Sequence, residues 1–263
     1  ALLTAVAGAG ELNLWISYYY PGVEDHAAGH YFDAAALLED ARAEATSGEA
    51  HRLAATLDRA GAAEIALEDY EAGEKYLKCA LRLKQDELGP RSMELPETLT
   101  RLGDLYYVVG QAQDAEEQYR AALDLLEDDQ LNIEVSRALN GLALIHHQRG
   151  EEVQSEALLR RAVDQHERQM RRWHPYLATA LTNLAILYTH QRRLDEAEPL
   201  LDRARFIQEQ ALPSRHPDVA LRLRARAFWL QASGQEAAAL QAEREAASMR
   251  EEFERINGVE TRR

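Results

Sequence analysis

Leu181-Thr-Asn-Leu-Ala-Ile-Leu-Tyr188, the polar turn Thr189-His-Gln-Arg-Arg193, then Asp195-Glu-Ala-Glu-Pro-Leu-Leu-Asp-Arg-Ala204 decide how the whole chain is read. Leu181, Leu184, Ala185 and Tyr188 recur at helical spacing and form one apolar stripe. Ala197, Leu200, Leu201 and Ala204 form a second. The stretch is therefore two helices joined by a short turn. Small residues at Ala185, Ala197 and Ala204 let the axes approach, and Leu184, Tyr188 and Leu201 fill the space between them.

The phrase recurs. With Ala185 as marker, the equivalent residues are Ala143, Gly103 and Gly61 upstream and Ala227 downstream, at spacings of 42, 40, 42 and 42. A period in this range means stacked supersecondary units, each unable to bury its apolar face alone. Leu99, Leu102, Tyr106, Ala115, Tyr119 and Ala122 repeat the pattern, as do Leu139, Leu142, Leu159 and Ala162. The first copy (Leu57, Ala60, Tyr70, Leu77, Ala80) is looser, and the last has Leu223, Leu230, Ala239 and Ala246. Gly110, Gly150 and Gly234 fall where first helices must end, a place that suits a residue free to take positive φ.

These residues resemble the tetratricopeptide repeat. The pattern is Leu-x-x-Leu-(Gly/Ala)-x-x-Tyr followed by Ala, a large apolar residue and Ala. The common unit has about 34 residues, so this one is longer by roughly a turn per helix. The longer form resembles the repeats of kinesin light chain and related bacterial proteins. His174-Pro175, His216-Pro217 and Asn183-Leu184-Ala185 match that form; Asn132-Ile133 departs from it, as do Gly73 and Ser155, where Ala is usual. The resemblance implies an all-α, right-handed superhelix of about five helix-turn-helix repeats over 52–93, 94–133, 134–175, 176–217 and 218–256. A partial N-terminal repeat lies within residues 1–51 and a short tail covers 257–263. Glu243 stands where Leu77, Tyr119, Leu159 and Leu201 stand, which suggests an end of the stack with no further neighbour.

Composition narrows the function. The 263 residues carry a net charge of −15, nearly all of it in the first half. Residues 1–130 hold 26 acidic and 10 basic side chains (−16), and residues 131–263 hold 19 and 20 (+1). Such a surface argues against a nucleic-acid partner, which draws on Lys and Arg. No apolar run reaches the roughly 20 residues of a membrane-spanning helix. Cys79 is the single cysteine, so no intrachain disulfide forms, and it reads as a packed, inert thiol. Cytoplasm and periplasm both accommodate such a chain. The first residue is Ala1 rather than Met, which points to residues trimmed upstream, although residues 1–10 lack the basic flank of a signal peptide.

No phosphate loop, Ser/His/Asp arrangement or paired-carboxylate site stands out, so no enzyme and no cofactor is expected. His146, His147 and His190 lack further ligands at metal-binding spacing and read as polar groove or turn residues. Arg160, Arg161, Arg168, Arg171 and Arg172, beside Trp173, either steer an acidic partner or balance nearby glutamates.

In tetratricopeptide arrays the first helices line the concave side. The core stripe then places Tyr107, Asn140, Leu144, His147, Asn183, Ile186, His190, Arg224 and Phe228 on the groove. Asn183 also matches the family asparagine that contacts ligand backbone. The resulting expectation is a non-enzymatic scaffold for a protein or peptide segment. In the rival reading, the apolar members of this strip, with Trp15, Tyr18, Tyr19 and Tyr20, enclose a lipid-like small molecule. Those N-terminal aromatics equally suit a cap on the first repeat.

Overall fold

In a computed structural model, residues 36, 50–126, 132–168, 173–212 and 216–257 are described. The N-terminal aromatics Trp15, Tyr18, Tyr19 and Tyr20, the partial repeat and the tail beyond residue 257 lie outside these residues. The described elements are ten α-helices: α1 (Ala50–Ala66), α2 (Tyr70–Leu88), α3 (Leu95–Val108), α4 (Ala112–Leu125), α5 (Ile133–Gln148), α6 (Glu152–Arg168), α7 (Pro175–His190), α8 (Leu194–Ala211), α9 (Pro217–Ala232) and α10 (Glu236–Asn257). They pair as α1/α2, α3/α4, α5/α6, α7/α8 and α9/α10. Each of α2, α4, α6 and α8 lies between the first helix of its own unit and that of the next. The odd-numbered helices also adjoin one another in order, from α1 to α9. They form the inner wall of an all-α superhelix.

The helix starts are written in side chains that accept backbone N–H groups. The Nδ1 atoms of His174 and His216 accept from Tyr176 N (3.2 Å) and Asp218 N (3.3 Å), each followed by proline in the first turn, where a missing N–H costs nothing. At the third unit, where the His-Pro pair is missing, Asn132 does the same work. Its Oδ1 accepts from Glu134 N at 3.0 Å, with an extended ψ of 136°, like the 134° of His174 and 141° of His216. The departure in sequence is an equivalence in hydrogen bonding.

At the turns, Gly110, Gly150 and Gly234 take φ of +83°, +76° and +81°, as their positions predict. The first and fourth units place Glu68 (φ 64°) and Arg192 (φ 61°) in the left-handed region. Such a conformation costs a side-chain-bearing residue about 1–2 kcal/mol.

Packing between paired helices depends on small residues. A Cβ on Gly73 would stand 2.7 Å from Ile65 Cγ1, and one on Gly61 would stand 2.9 Å from Leu77 Cγ. Gly73, unusual by family pattern, is thus required by the closeness of α1 and α2. Ser155, the other departure, is buried and donates its hydroxyl to Ala143 O at 2.8 Å. The tightest fit surrounds Tyr119, whose ring fills the space left by Gly103 on α3 and Gly141 on α5. Its hydroxyl donates to Asp104 Oδ1 at 2.7 Å. Tyrosines of the repeat pattern also bridge units: Tyr106 donates to Glu74 of α2 (3.0 Å) and Tyr188 to Glu156 of α6 (3.1 Å).

One expectation is corrected. Cys79 is exposed, because the inward position on this turn of α2 is taken by Ala80, which is fully buried. Glu243 is exposed, as an end position should be. Further along α10, Phe253 packs against Ala63 and Leu67 of α1.

Gly141→Ala places its methyl 2.2 Å from Tyr119 Cζ, the hydroxyl-bearing carbon of a ring that is fully buried. Denaturant unfolding should show a loss of roughly 1–3 kcal/mol. Adding Tyr119→Leu, the residue found at positions 77, 159 and 201, should recover part of it.

A pH dependence follows from the caps. Burial pushes the His216 imidazole below its ordinary 6.5, against the opposing charge of Asp218. The unfolded chain therefore takes up the proton first. The contribution is full above pH 6.5 and is lost as pH falls through the lower folded value. His216→Asn keeps a cap that does not titrate, so the slope of stability between about pH 7 and pH 5 should flatten.

Candidate functional site

The inner wall divides into a charged half and an aromatic half. The charged half spans α1, α3 and α5. Asp58 of α1, only 2% exposed, pairs with Lys84 of α2 and accepts the Thr98 hydroxyl at 2.9 Å. Arg101 is also buried and donates to Glu97 at 2.6 Å. Arg59 reaches the same carboxylate at 3.2 Å. Thr100 donates to Glu134, and Arg137 donates through Nε to Asp104 at 2.8 Å. The Arg137 guanidinium also lies over the Tyr176 ring at 5.6 Å.

Charge compensation decides the protonation states. Burial alone would raise the Glu97 carboxyl, but the Arg101 and Arg59 guanidiniums outweigh it and hold it down at about 2. Burial and the Asp104 carboxylate push the Tyr119 hydroxyl far above its ordinary range, which keeps it a hydrogen-bond donor. Asp58 Oδ1 and Arg101 Nε face each other at 3.9 Å, and Arg137 Nη1 lies 3.6 Å from the Glu134 carboxylate, charge contacts longer than hydrogen bonds.

The aromatic half runs across α5, α7 and α9. The rings of His147 and His190 lie 5.1 Å apart, and His190 and Phe228 lie 4.7 Å apart. Beside His147, Gln148 donates to the Tyr107 hydroxyl of α3 at 3.0 Å. Helical spacing thus brings Tyr107, His147, His190 and Phe228 into one line over four units. Asn183 Nδ2 donates to Asn140 Oδ1 at 3.0 Å across α5 and α7. Asn183 is only 8% exposed, so its amide is spent largely within the wall, while Asn140 is half-buried. Leu144 and Ile186 are half-buried, Ile186 against the core around Leu184 and Trp229. Arg224 is exposed.

Sequence reasoning missed Lys84 and Arg101, since a first-helix stripe does not identify them. A signal for Lys84 was present. It stands four residues after Ala80, as His166 and Gln208 stand four after Ala162 and Ala204, and all three are buried. Each links its unit to the next. Lys84 donates to Thr98 at 2.9 Å, the His166 ring stacks on His174 at 5.7 Å, and Gln208 accepts from Arg222 at 2.8 Å.

Among the described residues no group of three or more His, Cys, Asp or Glu could hold a metal ion, and no helix is long and apolar enough to cross a membrane. Of the arginine stretch, Arg160 pairs with Glu156 and Arg168 with Asp164, both at 2.8 Å. Trp173 stacks edge-on against Phe206 at 5.2 Å; both line an open cleft of about 420 Å³ with Ile207 and the Glu167–Arg203 pair. Arg171 and Arg172 lie outside the described residues.

The tetratricopeptide repeat model matches residues 52–128, 134–210 and 176–252. The chain belongs to the tetratricopeptide repeat family. Similar solved structures include the Rap conjugation gene regulator of the plasmid pLS20 in complex with the Phr* peptide. It is 15% identical, with a TM-score of 0.71 over 97% of this chain and 78% of that one. BtubC (BKLC) from P. vanneervenii is 21% identical, with a TM-score of 0.61 over 82% and 87% of the two chains. PilF of Pseudomonas aeruginosa is 16% identical, with a TM-score of 0.55 over 94% and 93%. At these identities the likeness is one of fold. No curated protein matches the chain significantly by sequence.

The buried charges of this tetratricopeptide array make a sharp test. Lys84→Met leaves Asp58 buried without its cation and should cost about 3–5 kcal/mol in denaturant unfolding. Asp58→Leu combined with Lys84→Met should cost much less, because no charge is then stranded.

Proposed function

We propose that this chain is a non-enzymatic scaffold that takes an extended peptide or partner segment along its inner wall. The observation that carries this reading is the line of Tyr107, His147, His190 and Phe228, which crosses four units beside the Asn140–Asn183 pair. Aromatic rings at stepped intervals offer contact area for alternate side chains. The half-buried Asn140 amide offers a polar contact for the main chain. Membership of a repeat family whose architecture presents an extended concave surface supports the same reading. So does the fold shared with a regulator whose structure holds a peptide.

The charged half of the wall argues against enclosure of an apolar small molecule. A lipid-like ligand lying over Arg101, Glu97 and Arg137 would strip water from ions without replacing it, at a cost of several kcal/mol per ion. The aromatic half alone is a line rather than a cavity.

A random peptide library panned against the immobilised 263-residue chain tests the proposal. Selected peptides should lose roughly tenfold or more in affinity to the His190→Ala/Phe228→Ala and Asn140→Ala/Asn183→Ala variants. Thermal unfolding should stay close to that of the parent for the first pair, since His190 is exposed and Phe228 half-buried. Unchanged affinity in both variants would sink the groove assignment.

A further inference from the structure

The joint between the fourth and fifth units is built from buried polar side chains, and one of them is a histidine whose unprotonated form is required. His216 is buried and opens α9. Its Nδ1 accepts from Asp218 N at 3.3 Å, a bond that only an unprotonated ring nitrogen makes. From α8, Gln208 donates through Nε2 to the Asp218 carbonyl at 3.0 Å and accepts from Arg222 Nε at 2.8 Å. Gln208 and Arg222 are buried as well. These bonds hold the first turns of α9 against α8. The Asp218 carboxylate, 3.8 Å from His216 Nδ1, favours a proton on the ring, but burial outweighs it. Around Arg222, Glu209 of α8 and Glu245 of α10 attract, whereas Arg205 of α8 and Arg226 of α9 repel.

We propose that His216 is a pH-sensitive pin at this joint: mild acid withdraws the cap from α9, lets the fifth unit turn on the fourth, and so shifts Phe228 in the aromatic line. A proton on Nδ1 sets one donor against another, and the Asp218 backbone N–H loses its acceptor inside the joint. The uncapped state takes up that proton more readily, because burial in the capped state holds the ring below its ordinary 6.5. Falling pH therefore shifts the population toward the uncapped state. The second joint is built otherwise. There Leu126 stands in the place of Gln208, and the cap on α5 is the amide of Asn132, which does not titrate in this range. His174 caps α7 by the same kind of bond as His216, but its ring stacks on His166, a different setting. Phe228 lies about three turns beyond His216 on α9 and meets the His190 ring at 4.7 Å, so a turn of α9 on α8 changes that contact. The effect on a bound segment rests on the groove reading above, whereas the pin itself does not.

Hydrogen exchange on the 263-residue chain, corrected for intrinsic rates, separates the two. Between about pH 7.5 and about pH 5.5, the amides of residues 219–222 should lose roughly tenfold in protection, and those of residues 135–138 at the start of α5 much less. In His216→Asn, which carries the cap residue already used at Asn132, protection at 219–222 should stay nearly constant across that range. Equal protection at both pH values in the parent, or the same loss in the variant, overturns the pin. Peptides from the random library should then dissociate several times faster from the parent than from His216→Asn at the lower pH. His147 and His190 are present in both proteins, so the difference reports on His216. Equal dissociation overturns the effect on the groove. Capture of no peptide by either protein overturns the groove reading along with that effect, while exchange still decides the pin.

Discussion

The structure depends on the close approach of one helix to the next at a small residue. Gly61 and Gly73 bring α1 against α2, Ala143 and Ser155 bring α5 against α6, and Ala185 and Ala197 play the same part in α7 and α8. At that separation, carbonyls and side chains of the facing helix fill the space a larger residue would occupy. The large residues beside them can then reach across to a third helix. Tyr119 shows the consequence, since its ring is accommodated only because two different helices give up a side chain at Gly103 and Gly141. The 40–42-residue period is this packing rule repeated, and the superhelix follows from it.

On that apolar frame sits a polar layer at the joints between units. Lys84, His166 and Gln208 occupy the same place in α2, α6 and α8, where α4 has the apolar Leu126, and each contacts the start of the next unit. Lys84 and Gln208 are buried with their hydrogen bonds made across the joint, the condition under which burying such groups is favourable. Their geometry therefore limits how far one unit rotates on another. The apolar residues drive association, and the polar ones restrict the angle at which it happens. The charged network of the first three inner helices extends the same logic, with Asp58, Glu97, Asp104 and Glu134 set against Lys84, Arg59, Arg101 and Arg137.

The fold was legible because packing residues recur. Leu184, Ala185, Tyr188 and Ala204 mark a unit wherever they appear, and glycine at positions 110, 150 and 234 marks the turn. Helical geometry also sufficed to place Tyr107, His147, His190 and Phe228 along one line. Pairing was not legible. That Asn183 spends its amide on Asn140 depends on how two units meet, and that Asp58 lies beneath Lys84 depends on how the two helices of one unit pair; an apolar stripe contains neither. Asn132 shows the converse limit. A pattern match counts it as a departure from His-Pro, yet it caps α5 through the same kind of bond, because the helix requires an acceptor at that place rather than a particular residue.

The inner wall therefore carries two kinds of information. Residues spent on neighbours, such as Asn183, Asp104 and Glu134, fix the wall's shape and are poor candidates for sequence discrimination. Residues left half-open, such as Tyr107, His147 and Phe228, differ in chemistry from unit to unit while sharing a position. A bound segment would meet a different surface at each step along one continuous line. This division also bears on affinity. The Asn140 amide is held by Asn183, and the rings of His147, His190 and Phe228 are held against one another, so these groups are oriented before a segment arrives. A donor fixed in advance loses little conformational freedom when a carbonyl arrives, and that saving is what makes a shallow, extended surface capable of selective binding.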